Sequence, residues 1–342
     1  MKIDRMASWL IVVTLIILAL IAGQSIFIPF IVSLLIWFVV KKTRNSLDKI
    51  EFIRRYVPKW FKTFLASILV FSILMFVGRL LTSNIEQLAL SSKSYISNAE
   101  IISARISELL RVNLDETINH FFGNLDIESY LQPLFRSISG ILGNMMMIVF
   151  YTIFLFIEEG LFNRKIQLIV GEGEKSEKFT KTLLKIDKMM SRYIILKSLI
   201  NLLNASIAFI VLYFVGIDSP FFWAAIIFFF SFIPSIGPIL GTLLPAIFSL
   251  IQFAEFVPFL IILIGIGSFQ IAIGNYLEPR IMGNTLNISP LFGIFALAIW
   301  GSLWGITGML LSVPITVALI IVMAQFPSTR KVAILLSEKG KL

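Results

Sequence analysis

The sequence predicts an all-α, polytopic membrane protein of about eight hydrophobic segments, with broken or re-entrant helices in its C-terminal half and a mainly helical insert on one side of the bilayer. Three observations carry this. Of 342 residues, 58% are hydrophobic and 14% charged, and the mean hydropathy is +0.93, outside the range of soluble globular chains. Apolar runs of membrane-spanning length recur along the chain and are separated by short polar stretches. The later runs are interrupted: Phe232 to Leu250 reads FIPSIGPILGTLLPAIFSL, with Pro234, Gly237, Pro238, Gly241 and Pro245 inside twelve residues. So many breakers argue against one straight helix, and broken backbone in hydrocarbon must be covered by protein or by a water-filled cavity. The segment, with Ser235 at its centre, is expected to face inward and line a path. The plainer alternative is a packing kink.

In chain order, Lys2 and Arg5 precede an apolar run to Ala22, and a second run, Ile26 to Val40, follows after three residues, which reads as an uncleaved membrane hairpin. Lys41 to Lys62 carries eight basic residues and Trp60, an interfacial loop. A third span, about Phe61 to Leu81, completes an N-terminal region, 1–81. Residues 82–136 form the polar insert, 137–157 a fourth span, 158–197 a basic segment, 198–326 a core with two interrupted regions, and 327–342 a tail. In the insert, Ile85, Leu88, Ser92, Tyr95, Ala99, Ile102, Ile106 and Leu109 alternate by three and four as a heptad seam. Such a seam wants a helical partner, either a second subunit or the chain's own 121–136 segment. In the basic segment, Lys178, Lys181, Lys185, Lys188 and Arg192 form one helical stripe beside an apolar one. That is the pattern of an amphipathic helix on the anionic membrane surface, or of a solvated helix packed on the protein.

Charge sets the expected orientation. Twenty-three Lys and Arg lie in the N-terminus, the 41–62 loop, the 158–197 segment and the tail, against five on the other side, with Arg280 unassigned. The positive-inside rule then places both termini in the cytoplasm and the insert outside, and it assigns the +9 net charge to a membrane surface instead of nucleic acid. The absence of cysteine and the single His120 leave no thiolate or histidine cluster, so no metal or other cofactor is expected. No HExxH, no histidine beside a membrane serine and no aspartate within a span argue against an enzyme, and no nucleotide motif supports an ATP-driven pump; GEGEKS at 171–176 lacks phosphate-loop spacing.

Two further features bear on a path. PILG, Pro238 to Gly241, is echoed by PLFG, Pro290 to Gly293, and paired interrupted segments point to a transporter site. GNYLEPRIMGN, Gly274 to Asn284, sets Glu278 and Arg280 on either side of Pro279 between long apolar runs. Charges so near hydrocarbon are either paired and functional or in a solvated loop. Asn201, Asn204, Gln252, Gln270 and Asn275 lie on apolar segments, each placed to bond a neighbouring helix. Ser289 to Gln325 is one apolar run of about 37 residues, too long for a single span of about 20, and so a hairpin or a broken, tilted span.

FIPSIGPILGTLLPAI together with NYLEPRIMGNTLNISPLFGIFALAIWGSLWGITGMLLSVPITV resembles the C-terminal half of the autoinducer-2 exporter family of bacterial inner-membrane permeases, and the remaining segments follow the same plan. The resemblance implies roughly eight membrane segments and export of a small polar molecule, with cation/proton antiport as an alternative. A non-transporting scaffold that binds through the heptad seam is the rival from another class. On the transporter reading, Pro234, Ser235, Gly237, Pro238, Gly241, Gln270, Asn275, Glu278, Pro279, Arg280 and Pro290 line the path. Glu278 is then the site for H+ or Na+ as coupling ion, with Arg280 as its partner. Ile85, Leu88, Tyr95, Ile102, Ile106 and Leu109 are expected at a homo-oligomer contact.

The orientation is testable in this cysteine-free chain. Ser94→Cys is expected to react with an impermeant thiol reagent on intact cells and Ser176→Cys only after permeabilisation; the reverse pattern would invert the topology.

Overall fold

The structure, a computed structural model, describes residues 2–90, 95, 97–98, 101–102, 105, 140, 143–170, 174–234, 236–282, 288–324, 326–337 and 340. Every regular element among them is helical, and seven helices are long and apolar enough to cross a bilayer, which is the all-α polytopic architecture expected. The chain divides into two compact units: Met1–Val70, Ser137–Ile194 and Leu286–Leu342 form one, and Phe71–Arg136 and Ile195–Thr285 the other.

In the first unit, α1 (Lys2–Ala22) and α2 (Gln24–Leu47) are separated by Gly23 alone, α3 (Glu51–Tyr56) is short, and α4 (Lys59–Leu90) begins. The sequence suggested a loop from Lys41; instead α2 runs on to Leu47, because its last turns have partners. Arg44, buried, makes a forked contact with Glu159 of α5 (Met145–Val170) at 3.0 and 3.3 Å and donates to Thr63 Oγ1 at 3.2 Å. Lys62 reaches Asp48 at 2.6 Å, and Lys41 reaches Asp187 at 2.9 Å while lying over the Trp37 ring. Forked, charge-assisted bonds of this kind hold an arginine out of water where a single bond would not.

The long apolar run forms α11 (Pro290–Met323), and it is a hairpin. At Trp304 and Gly305 the backbone leaves helical geometry, Gly305 taking φ +61° and ψ −143°. The arms, 290–303 and 306–323, then lie side by side: Trp300 Nε1 donates to Thr316 Oγ1 at 3.2 Å, sixteen residues away in sequence. A straight helix would separate those residues by about 24 Å. The turn is pinned to α1, where Trp304 Nε1 donates to the Leu20 carbonyl at 2.9 Å. Both ends of the hairpin meet α12 (Pro327–Leu336): Ser289 N–H donates to the Leu336 carbonyl at 3.0 Å, and Thr329 Oγ1 to that of Met323 at 2.8 Å.

The second unit holds α4 from Phe71 onward and the later part of α6 (Glu174–Val215). Helix α6 has no Gly or Pro in 42 residues and runs without a break, so the basic stretch is the beginning of a spanning helix and not a separate surface helix. After it, α7 (Pro220–Phe230) and α8 (Ile236–Phe253) form a second hairpin. Its turn keeps its polar groups satisfied locally: Ile233 N–H bonds Phe230 O at 2.7 Å and Gly237 N–H bonds Ile233 O at 3.1 Å. The two ends of this hairpin are stapled by Gln252, which accepts from Asp218 N–H at 2.7 Å and donates to Gly216 O at 3.0 Å. Helix α7, at 11 residues, is about 16 Å long, half the thickness of a hydrocarbon core and too short to cross it alone. Helix α9 (Phe256–Ala272) packs along α8 and continues through a π turn, Ile273–Leu277, into α10 (Glu278–Met282).

The insert's described residues lie over the base of this hairpin. Tyr95 Oη donates to Asp218 at 2.6 Å and its ring meets that of Phe248, Asn98 donates to Gln252 O at 2.7 Å, and Arg105 donates to Ala254 O at 2.8 Å. Leu88, Tyr95 and Ile102 are buried within the chain. For these three, the expected subunit contact is corrected: the seam's apolar side is used on the chain's own hairpin, whose base needs polar and apolar cover. The side chain of Ile85, and Ile106 and Leu109 altogether, lie outside the described residues.

Both turns depend on a glycine with no room for a side chain. A Cβ on Gly237 would stand 1.7 Å from the Phe230 carbonyl oxygen, and one on Gly308 would stand 1.8 Å from that of Trp300. Gly237→Ala and Gly308→Ala are each expected to lower the melting temperature of the detergent-solubilised protein, at a cost of about 1–3 kcal/mol. Gly293→Ala, in open space, is the neutral control. A Gly308→Ala protein as stable as the wild type would show that the arms are not in contact there.

Candidate functional site

Inside the second unit, α6 presents two different faces. Lys197, Asn201, Asn204, Ala208 and Leu212 recur at helical spacing and are all buried. Three of these five are polar, on a helix that crosses the bilayer, where each polar side chain needs a partner. Lys197 finds Glu278 at 2.5 Å, with side-chain exposures of 11% and 28%, so the pair is largely withdrawn from solvent. One turn further along α6, Asn201 Nδ2 donates to the Phe228 carbonyl at 3.2 Å, tying α6 to the last turn of α7 beside the hairpin turn. Across the hairpin, Thr242 of α8 donates to Gln270 Oε1 of α9 at 2.7 Å, both residues buried.

The other halves of these amides are orphaned. Asn201 Oδ1, Asn204 Oδ1 and Gln270 Nε2 are buried and have no hydrogen-bond partner among the described residues. A buried polar atom left so costs about 1–3 kcal/mol. Asn201 and Asn204 leave two acceptors on the α6 face that carries Lys197, and Gln270 leaves one donor on the face that continues to Glu278; such groups are chemically suited to bond a polar solute or a partly dehydrated ion. Among the described residues, no three His, Cys, Asp or Glu side chains come together as metal ligands.

The residues expected to line a path separate in the structure. Gly237, Gly241 and Gln270 are buried in the second unit, Pro234 and Pro238 are half-buried at the hairpin turn, and Glu278 is held by Lys197. Ser235 lies outside the described residues. Asn275, Pro279 and Arg280 are exposed, and the partner of Glu278 is therefore Lys197 and not Arg280. The physical reason is helical geometry: residues two apart on a helix point to different sides, whereas Lys197 arrives from another helix. Pro290 opens α11 in the first unit, and PLFG lies on an arm, away from the turn at Trp304. Of the basic stripe, Lys188 and Arg192 are exposed, and the side chains of Lys178, Lys181 and Lys185 lie outside the described residues.

Lys197 and Thr242 were not singled out by the sequence pattern. Lys197 closes a run of nine basic residues and looks like one more surface lysine. Its signal was its i, i+4, i+7 spacing with Asn201 and Asn204 on an unbroken helix.

Among the described residues the fold is all-helical, with seven helices long and apolar enough to cross a bilayer, two hairpin turns cut close at glycine, and a charge pair with orphaned amides in the second unit: a polytopic membrane protein. The sequence model of the AI-2E family transporters matches residues 10–328, and the chain belongs to that family. It is 28% identical over 328 residues to a Haemophilus influenzae protein named "Putative transport protein", covering 92% of this chain and 91% of that one. It is 26% identical over 323 residues to the AI-2 transport protein TqsA of Escherichia coli, covering 93% and 91%. A Borreliella burgdorferi protein, also named "Putative transport protein", is 27% identical over 321 residues, covering 92% and 86%.

The charge pair makes a stability prediction. Lys197→Met is expected to destabilise by about 3 kcal/mol because it strands a half-buried carboxylate, and adding Glu278→Gln is expected to recover most of that loss. Melting temperatures of the two single variants and the double variant in detergent check this; additive losses would place both charges in water.

Proposed function

We propose that this protein carries a small polar molecule across the bacterial inner membrane, driven by an ion gradient, with both termini in the cytoplasm. The observation that carries the reading is the Lys197–Glu278 pair beside orphaned, buried amides of Asn201, Asn204 and Gln270. A gradient-driven carrier needs a group whose pairing differs between its two access states, and an ionisable pair on membrane-spanning helices is costly to keep. Glu278 is the site of the coupling ion, H+ or Na+; Lys197 holds it when the ion is absent. The turn between Phe230 and Ile236, with Pro234, Gly237 and Pro238, is where access alternates. Similarity to the protein named AI-2 transport protein TqsA supports an autoinducer-2-like molecule as the cargo. Export is the direction of the proposed movement. The same pair equally serves cation/proton antiport, and the assay below separates the two.

Purified protein in proteoliposomes under an imposed pH gradient is expected to move autoinducer-2; movement of Na+ alone, without autoinducer-2, would favour antiport. Glu278→Gln is expected to leave expression intact and slow flux at least tenfold. Unchanged flux in Glu278→Gln would remove the pair from the mechanism.

A further inference from the structure

Along α9 the side chains turned into the second unit are Ile262, Ile266, Gln270 and Ile273, all buried, in the steps of three and four that an α-helix requires. The next α-helical position on that face is Leu277. The residues that continue the face are instead Glu278, against Lys197, and the buried Met282. One step is therefore five residues long. It coincides with the π turn Ile273–Leu277, where the N–H of Glu278 bonds the carbonyl of Ile273.

Single π turns within α-helices are rare and concentrate at functional sites. Here its effect is specific. In an uninterrupted α-helix Leu277 would take the interior position and the Glu278 carboxylate would point about 100° away, one residue's rotation. Tertiary packing around the wider turn is sparse: Gly274, Asn275 and Tyr276 are exposed, and a Cβ on Gly274 would meet no atom within 4 Å. Pro279, which has no N–H for the Asn275 carbonyl, weakens a regular α-turn locally. What the π register sets is the contact between Glu278 and Lys197 and, one turn on, the burial of Met282. Upstream, the Thr242–Gln270 bond lies outside the turn and does not depend on its winding.

We infer that the π turn positions Glu278 on Lys197 and, by rewinding to α-helix, takes it off, so that the turn is the moving part that makes and breaks the pair. This rests on the reading of Glu278 as the coupling carboxylate. When the pair parts, the segment takes α-helical winding, apart from the Asn275 carbonyl, which Pro279 has no N–H to bond; Leu277 turns inward and Lys197 is released toward Asn201 and Asn204 on its own helix face. Glu278 is thus exchanged for an apolar side chain at the interior position without any displacement of α9 above Gln270.

Two measurements test it. In the wild-type protein, hydrogen exchange is expected to be at least tenfold faster at the amides of 274–278 than at those of 262–270, although helix continues on both sides; equal protection would overturn the inference. Deleting Gly274 removes the extra residue, so that Glu278 falls on the interior face with α-helical winding. That variant is expected to keep wild-type thermal stability, to show slow exchange throughout 262–278, and to lose at least tenfold in autoinducer-2 or Na+ flux in proteoliposomes. Restoring the count by inserting Ala after Tyr276 in the deletion variant is expected to restore flux. A deletion variant that transports at the wild-type rate, while Glu278→Gln does not, would overturn the inference and leave the proposed function standing. Wild-type flux in Glu278→Gln would instead strike the proposed function itself. Where the deletion impairs folding, the wild-type exchange pattern decides.

Discussion

Backbone N–H and C=O groups that leave helical pairing inside a bilayer have no water to turn to, and the architecture follows from where this chain satisfies them. Both hairpin turns do so by bringing one arm's backbone against the other's. Gly237 lies against the Phe230 carbonyl and Gly308 against that of Trp300, closer than any side chain permits. With the arms in contact, a turn needs only one or two non-helical residues, and its polar groups close on themselves or on a neighbour, as Trp304 does on Leu20. The hairpin base is treated differently. There Gln252, Tyr95, Asn98 and Arg105 supply side-chain bonds to backbone that has come out of the helices.

A second consequence is that polar side chains inside the second unit stand out energetically. Asn201 and Gln252 act as expected for polar residues on apolar helices and bond a neighbouring segment. Lys197 and Glu278 do more, since each would be strongly unfavourable at that position without the other. The α6 face that holds Lys197, Asn201 and Asn204 and the α9 face that holds Gln270 and Glu278 are both regular helical stripes, except for the five-residue step at the π turn. The departure from regularity falls between Gln270 and the charged Glu278, just before Pro279. In the first unit the ionic contacts of Arg44, Lys62 and Lys41 join helix ends and make the basic 41–62 stretch part of the packed structure.

Much of this was legible beforehand. Composition and run lengths announce an all-helical membrane protein, since a spanning helix needs little beyond about 20 apolar residues in a row. The 37-residue run could not be one span, and it is a hairpin. The run of Pro and Gly at 234–245 was misleading as a sign of broken backbone: only Pro234 lies in the turn, while Gly237, Pro238, Gly241 and Pro245 all lie within the continuous helix Ile236–Phe253. The location of the second turn was less legible. The echo of PILG in PLFG pointed to Gly293, which sits in open space on an arm, while the turn is at Gly305 and the close contact at Gly308. Short motif matches in a biased composition do not report backbone clearance. The heptad seam was a correct sign that one helix face is apolar, and at Leu88, Tyr95 and Ile102 it is covered by the chain itself.

Alone, the sequence determined the class of fold, the existence of two interrupted regions, the candidacy of Gln270 and Glu278, and the family, because hydropathy, helix breakers and ordered motifs are properties of consecutive residues. Only the tertiary structure decided that Glu278 is matched with Lys197, 81 positions away, and that Arg280 is left exposed. It likewise decided that the unbroken α6 merges a basic segment with a span, and that the insert's seam lies on the hairpin base. These are choices of partner. Periodicity specifies which face of a helix seeks contact, but the identity of the surface that meets it depends on the packing of distant segments and, at Glu278, on a single extra residue in one turn.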